Sequence, residues 1–231
     1  MQRKRLIAAN WKMHILPAGS CTPDSVYRTR ANVDVWVFPS YMDLHSTQYH
    51  GLVTGAQCGR AEDDGAFTGD ISMQMIADQR YHAVICGHSE RRRYHNETDE
   101  MIARQVAAAL RTGLIPILCA GETADQHDRG EAEDIVRKQI SSVRMDPAVI
   151  IAYEPVWAIG TGKTPNPSDV EKMHLFIRSL LPAPEKMRII YGGSVNGKNA
   201  ASFFAQPNID GALVGGSSLK PDEFRSIVEA A

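Results

Sequence analysis

Eight short apolar runs recur along the chain, each four to six residues long. They are Leu6 to Ala9, Val33 to Phe38, Leu52 to Ala56, Ala83 to Cys86, Leu114 to Cys119, Val149 to Tyr153, Arg188 to Tyr191 and Gly211 to Val214. Runs of this length that are apolar throughout are typical of strands buried on both faces. The pattern therefore predicts eight strands.

Most of these runs are separated by segments that carry helix-start signals. The signals are Thr22-Pro23-Asp24, Asn96 to Glu100, Asn166 to Asp169 and Lys220 to Glu223, which place a capping residue or proline before acidic residues. Alternating strands and helices favour a parallel sheet, and no flexible or low-complexity linker divides the chain. We therefore predict one α/β domain spanning residues 1–231, folded as a closed (β/α)8 barrel.

Composition narrows the classes of partner. The chain has 231 residues, of which 43% are hydrophobic and 23% charged, and its net charge is −2. A net charge of this sign gives no reason to expect binding to nucleic acid or to an anionic membrane. The four cysteines show no C-x-x-C spacing, and two of them, Cys86 and Cys119, lie inside apolar runs, which favours free thiols in the cytoplasm. No run is long enough to span a bilayer, and no histidine spacing predicts a metal site.

Active-site groups of such a barrel lie where the strands end. Lys12 and Asn10 follow the first predicted strand, His88 follows the fourth, and Glu154 follows the sixth. Glu154 also opens a segment that is stiff at Pro155 and permissive at Gly160 and Gly162, as expected of a loop that closes over a ligand. Taken singly, each residue is explained as an ordinary loop residue, but together they predict a site on one rim.

The residue types indicate proton transfer. A carboxylate (Glu154) serves as a base, an imidazole (His88) donates to an oxygen, and an ammonium (Lys12) favours developing negative charge. This set suits removal of a proton beside a carbonyl, which is isomerase chemistry.

Glycine pairs follow the last two strands. Gly192-Gly193 precedes Ser194, and Gly215-Gly216 follows the eighth run. Backbone N–H groups without a nearby Cβ can converge on an anion, and these two loops are the usual phosphate site of such barrels. A phosphate monoester is therefore the predicted substrate class.

Six segments, in order, closely resemble the triosephosphate isomerase family across essentially the whole chain. They are Ala8 to Met13, Gly65 to Gly69, Cys86 to Arg92, Ala152 to Gly162, Tyr191 to Val195 and Leu213 to Gly216. The resemblance implies a TIM barrel that interconverts dihydroxyacetone phosphate and D-glyceraldehyde 3-phosphate without a cofactor, a step of glycolysis and gluconeogenesis.

The resemblance also assigns roles to individual residues. It implies that Glu154 is the base, His88 the neutral electrophile and acid, Lys12 the electrostatic partner and Asn10 an orienting group. The phosphate would be held by Gly160, Ser194, Gly215 and Gly216, and Glu90 would lie beside Lys12. The loop Glu62 to Gly69 would reach a second subunit with Thr68, so a homodimer is expected.

The chain is shorter than the about 250 residues typical of this barrel. The loss falls mainly between Lys12 and Gly51, which predicts a shortened first helix within Thr22 to Ala31 and a shortened second helix within Tyr41 to Tyr49. We expect the region from His14 to Ala31 to be the least protected part of the fold.

Two other functions fit parts of the pattern. A different phosphate-binding barrel, such as another sugar-phosphate isomerase, would share the glycine loops but not the set Asn10, Lys12, His88 and Glu154. A non-catalytic barrel would have little reason to keep that set.

Overall fold

Eight parallel strands form the sheet of the computed structural model, which describes residues 3–159 and 164–231. The strands are β1 (Arg5–Asn10), β2 (Val33–Phe38), β3 (Val53–Ala56), β4 (Ala83–Cys86), β5 (Ile115–Ala120), β6 (Ile150–Tyr153), β7 (Ile189–Tyr191) and β8 (Gly211–Val214). Each of the eight predicted runs is a strand, with boundaries within one residue of those expected.

The strands pair in chain order, and β8 closes the ring by pairing with β1, which confirms the predicted barrel. Alternate side chains face opposite sides of the sheet. Leu6 and Ala8 of β1 belong to the interior cluster of the barrel, whereas Ile7 and Ala9 pack in the layer beneath the helices. The predicted burial of Cys86 and Cys119 is also confirmed.

Nine α-helices lie within the described ranges. They are α1 (Leu44–Tyr49), α2 (Met73–Asp78), α3 (Ser89–His95), α4 (Asp99–Arg111), α5 (Ala124–Asp128), α6 (Ala132–Ser141), α7 (Pro167–Ser179), α8 (Ala200–Phe204) and α9 (Pro221–Glu229). Short 3-10 helices cover Val156–Ala158 and Gly216–Leu219. None of the helices in residues 3–159 and 164–231 has the length and apolar character needed to cross a membrane.

Three of the four predicted helix starts are confirmed. The Thr98 side chain accepts from the N–H of Met101 at the start of α4, and Asn166 accepts from the N–H of Ser168 at the start of α7. Pro221 opens α9 at a position where no backbone donor is needed. The shortened second helix is confirmed as α1, which has only six residues.

The prediction of a first helix within Thr22 to Ala31 is wrong. This segment forms consecutive turns, including Ser25 N–H to Thr22 C=O (3.1 Å) and Arg28 N–H to Ser25 C=O (3.4 Å). Its buried apolar residues, Val26 and Tyr27, are adjacent and therefore cannot line one face of a helix. Without an apolar face to bury, a helix of about ten residues is unstable, despite its capping signal.

Tyr27 fills the space beside β1 that the missing helix leaves. Its ring stacks on Phe224 of α9 with centroids 4.8 Å apart and meets Trp11 edge to face at 5.1 Å. Burial of one aromatic ring of this size contributes about 2 kcal/mol. The rings of Trp11, Tyr27 and Phe224 thus cover β1 in place of the predicted first helix.

A buried histidine makes the fold sensitive to acid. His174 of α7 is fully buried, and its Nδ1–H donates to the carbonyl of Asn208 at 3.1 Å. Its Nε2 has no hydrogen-bond partner within the described residues. Burial lowers the pKa of His174 to about 3, the bond to Asn208 opposes this shift, and the nearby Arg178 adds a smaller lowering.

We predict that stability falls as the pH drops from 7 to 5. In the unfolded state His174 is protonated below about pH 6.5, whereas in the folded state it stays neutral down to pH 5. Protonation of the unfolded state therefore lowers the unfolding free energy by about 2 kcal/mol between pH 7 and pH 5. His174→Gln should remove this component, measured as the difference in urea unfolding free energy between the two pH values. Exposed His45→Gln is the matched control, and an unchanged pH dependence in His174→Gln would contradict the assignment.

Candidate active site

A cavity of about 490 Å³ opens at the carboxyl ends of the strands. It is lined by the predicted residues Asn10, Lys12, His88, Glu90, Glu154, Ser194, Gly215 and Gly216. The structure therefore brings together eight predicted site residues that five different strands and their loops supply. Gly160 lies outside the described residues, and Thr68 lies on an exposed loop that does not line this cavity.

Glu154 follows β6 directly, and its side chain is 2% exposed. Its Oε2 accepts a hydrogen bond from the backbone N–H of Ser89 at 2.9 Å. Its Oε1 lies 3.3 Å from Nε2 of His88, but the angles are not those of a hydrogen bond, and Oε1 has no partner within the described residues. One carboxylate oxygen is thus held by the backbone, and the other is left available beside the imidazole.

Glycines on the neighbouring strands make room for this carboxylate. A Cβ at Gly192 would lie 2.7 Å from Cγ of Glu154, and a Cβ at Gly121 would lie 1.8 Å from its carbonyl oxygen. Both separations are too short for any side chain, so these two positions require glycine for close approach. The sequence signal was the presence of glycine directly after β5 and β7.

His88 is the N-cap residue of α3 and is largely buried. Its Nδ1 accepts from the N–H of Glu90 at 3.2 Å, so the neutral ring carries its proton on Nε2. Because Nε2 makes no hydrogen bond to Glu154 and His88 lines the cavity, the Nε2–H is available to a ligand bound there.

Lys12 has a left-handed backbone with φ of 51°, which is uncommon for a residue with a long side chain. Its N–H donates to Oδ1 of Asn10 at 3.1 Å, and its carbonyl accepts from Nε2 of Gln57 at 2.7 Å. Gln57 also donates to the carbonyl of Phe38 at 3.0 Å. One amide therefore joins the loops after β1, β2 and β3 and holds the strained residue.

Gln57 was not predicted as a site residue. Its position directly after the third strand was the available signal, but the polar character of one glutamine does not indicate which carbonyls it will contact.

The Lys12 ammonium lies 2.6 Å from Oε1 of Glu90, and Oε2 of Glu90 lies 3.7 Å from Nδ1 of His88. Glu90 is therefore beside Lys12, as predicted, and also borders the imidazole. A Cβ at Gly215 would lie 3.2 Å from Cε of Lys12. The glycine after β8 thus lets the lysine side chain cross the cavity.

The predicted phosphate loops also line the cavity. The Ser194 hydroxyl donates to the carbonyl of Ala158 at 2.6 Å, which ties the loop after β7 to the segment that follows Glu154. At the end of β8, the N–H and the hydroxyl of Ser218 both donate to the carbonyl of Gly215, at 2.8 and 2.7 Å. The Ser194 hydroxyl proton is already used here, a contact that sequence reasoning did not predict.

A buried carboxylate fixes the start of the loop after β6. Glu122 accepts from Nε1 of Trp157 at 2.7 Å and from the hydroxyl of Tyr153 at 3.2 Å. Burial raises the pKa of Glu122, and the two hydrogen bonds partly offset this effect. The His127 ring packs on Trp157 with centroids 4.4 Å apart. Its position two residues after β5 was the available sequence signal, and no role was predicted for Glu122.

Among residues 3–159 and 164–231, no group of three or more histidine, cysteine, aspartate or glutamate side chains is arranged to hold a metal ion.

Comparison with known proteins identifies the family. The sequence model described as "Triosephosphate isomerase" matches residues 5–231. The chain is 44% identical to the triosephosphate isomerase of Hahella chejuensis, with 99% of each chain covered. It is 43% identical to that of Rhodopirellula baltica, covering 100% of this chain and 99% of the relative. The chain therefore belongs to the triosephosphate isomerase family of enzymes.

Proposed function

We propose that the protein interconverts dihydroxyacetone phosphate and D-glyceraldehyde 3-phosphate through an enediolate. The observation that carries this proposal is the meeting of Glu154, His88 and Lys12 around one cavity that the glycine loops after β7 and β8 also line. The family membership supports the same reaction.

In the proposed reaction, the Glu154 carboxylate removes a proton from the hydroxymethyl carbon next to the substrate carbonyl. The electron pair of that C–H bond forms the C=C bond of the enediolate, and negative charge develops on the former carbonyl oxygen. The same carboxylate then returns the proton to the neighbouring carbon, which gives the aldehyde. The oxygen of Glu154 without a hydrogen-bond partner and the fixed Ser89 contact support this role.

His88 supplies the proton that moves between the two substrate oxygens. Its Nε2–H donates to the former carbonyl oxygen, and the ring recovers a proton from the adjacent hydroxyl. A neutral imidazole in this role is the established behaviour of this enzyme family. The Glu90 N–H that occupies Nδ1 supports it, because it fixes which nitrogen carries the proton.

Lys12 stabilises the enediolate charge. A cation already placed at the cavity wall needs little reorganisation when charge develops, and this is the usual source of electrostatic catalysis. The pairing with Glu90 at 2.6 Å holds the ammonium in position, and Asn10 orients the same loop through its contact with the Lys12 N–H.

The phosphate occupies the side of the cavity bordered by Ser194, Gly215 and Gly216. Closely spaced N–H groups in glycine loops bind phosphate without side chains. We infer that Gly160, which lies outside the described residues, adds an N–H when the loop after Glu154 closes. The shape of the cavity and the loop glycines support this placement.

The protein is also proposed to act as a homodimer in the cytoplasm. Met13, Ile15 and Met42 on the loops after the neighbouring strands β1 and β2 are 93%, 86% and 90% exposed, and large apolar side chains exposed to this degree favour a partner surface. The four free cysteines support a reducing compartment.

A second cavity, of about 400 Å³, is the proposed binding site for the loop of the other subunit that carries Thr68. Within the described residues, Oε2 of Glu97 and Oε1 of Gln105 are buried beside this cavity without a hydrogen-bond partner. Unpartnered buried acceptors favour a donor from outside. The exposed loop tip carrying Thr68 has a hydroxyl and backbone N–H groups that fit this requirement.

The two alternative functions are less well supported. A non-catalytic barrel gives no reason for Asn10, Lys12, His88 and Glu154 to line one cavity. A barrel with another phosphorylated substrate would share the glycine loops, and the product of the reaction distinguishes it.

Glu154→Asp should lower kcat at least about 100-fold, because shortening the side chain withdraws the base by more than 1 Å. The measurement is incubation with dihydroxyacetone phosphate in D₂O, with aldehyde formation and deuterium at the carbon that receives the proton followed by NMR. Exposed Glu229→Asp is the control and should match the wild type. Equal rates for Glu154→Asp and wild type would remove Glu154 from the role of base.

Gln57→Leu should lower kcat by about tenfold and stability by about 1–3 kcal/mol, because the Lys12 carbonyl loses its donor and the strained backbone can relax. Gln48→Leu is the matched control, since Gln48 likewise donates to two carbonyls, those of Gln79 and Arg80, before β4. The control should lose stability and keep its kcat. A Gln57→Leu enzyme with full kcat would contradict the positioning role.

Thr68→Arg should convert a dimer into a monomer, because the arginine side chain is several atoms longer than threonine and overfills the space that the loop tip would occupy. Sedimentation velocity over a range of protein concentrations measures the change. Leu175→Arg, at an exposed apolar position on α7, is the control and should remain dimeric. A wild-type protein that sediments as a monomer at every concentration would refute the dimer.

A further inference from the structure

Tyr27 makes a long-range contact with the loop after β8. Its hydroxyl donates to the carbonyl of Ser218 at 2.6 Å, across 191 positions of sequence. The side chain is 1% exposed, and it comes from the segment that forms turns in place of the first helix. Burial raises the pKa of Tyr27, so the hydroxyl keeps its proton and remains a donor.

The contacted residue belongs to the turn of residues 215–219, called here the β8 turn. Ser218 is fully buried and donates twice to the carbonyl of Gly215. That carbonyl shares a peptide group with the N–H of Gly216, so the two donors of Ser218 polarise the peptide of a residue that lines the cavity. Gly215, Gly216 and Ser217 all line this cavity. The placement of Ser218 therefore sets the placement of the N–H groups available to an anion.

Tyr27 also packs against the residue between Asn10 and Lys12. Its ring contacts Trp11, which lies between Asn10 and Lys12 at the end of β1. Phe224 of α9, five residues beyond the β8 turn, packs on its other face. One side chain thus touches the loop that carries the ammonium and the elements that carry the phosphate turn.

We propose that Tyr27 is a positioning residue for phosphate binding, which holds the β8 turn through its hydrogen bond to Ser218. The inference rests on the proposed function only in taking the β8 turn as the phosphate loop. The segment from Thr22 to Ala31 therefore covers the barrel and also positions the β8 turn.

The test is Tyr27→Phe, which keeps the ring and removes the hydroxyl. The Ser218 carbonyl then loses its buried donor, and the Kd for inorganic phosphate, measured by ³¹P NMR, should rise about three- to tenfold. KM for dihydroxyacetone phosphate should rise by a similar factor while kcat changes less than about twofold. Turnover of unphosphorylated glyceraldehyde should not change, a result that general loosening of the fold would not give.

Exposed Tyr49→Phe is the matched control and should leave all of these values unchanged. Ser25→Ala provides a second variant if Tyr27→Phe does not fold. The Ser25 hydroxyl accepts the backbone N–H of Tyr27 at 3.2 Å, and its loss should shift the phosphate Kd less but in the same direction.

The outcomes separate this inference from the isomerase proposal. If the wild type has no isomerase activity but Tyr27→Phe still binds phosphate more weakly than the wild type, the inference is supported and the proposed reaction is refuted. An active wild type whose phosphate Kd and KM are unchanged in Tyr27→Phe would refute the inference alone. A wild type that does not bind phosphate, or a Tyr27→Phe variant that loses equal rate on both substrates, would also overturn it.

Discussion

The close approach of β8 to β1 closes the barrel, and the geometry of the site depends on that closure. Gly211 begins β8 with φ of 141°, and a Cβ there would lie only 1.9 Å from the carbonyl oxygen of Leu6. A larger residue would push the strands apart at this seam. Because the seam is closed, the ends of β1 and β8 are neighbours, and Lys12 passes directly over Gly215.

Main-chain donors orient the Glu154 carboxylate and the His88 imidazole, whereas side chains hold Lys12. The Ser89 N–H holds Glu154, the Glu90 N–H holds His88, and the carbonyl of Lys12 is held by Gln57. Backbone groups at the ends of strands and helices are already fixed by the surrounding sheet. They therefore hold the carboxylate and the imidazole with no further loss of conformational entropy when a substrate binds. The same contacts explain why glycine is needed at positions 121 and 192, where the backbone and Glu154 approach most closely.

The region after β1 shows how a barrel can lose a helix and keep its core. An aromatic cluster of Trp11, Tyr27 and Phe224 covers β1, and Thr29 bonds to both the N–H and the carbonyl of Val35 on β2. Within the turns between residues 22 and 31, Val26 and Tyr27 are the buried apolar side chains. The expectation that His14 to Ala31 is the least protected region therefore remains a prediction, and these few anchors are the contacts that would oppose opening.

The sequence by itself determined the barrel, because strand identity follows from local apolar runs and the helix caps at Thr98 and Asn166 from contacts within three residues. It also identified Glu154, His88 and Lys12, because the end of each strand is readable and parallel closure puts those ends on one rim. Only the tertiary structure decided that Thr22 to Ala31 forms turns, that Gln57 holds Lys12, that His174 is buried without a partner for Nε2 within the described residues, and that Tyr27 reaches Ser218. These contacts join residues far apart in the chain, and no local pattern records which distant group a polar or aromatic side chain will meet.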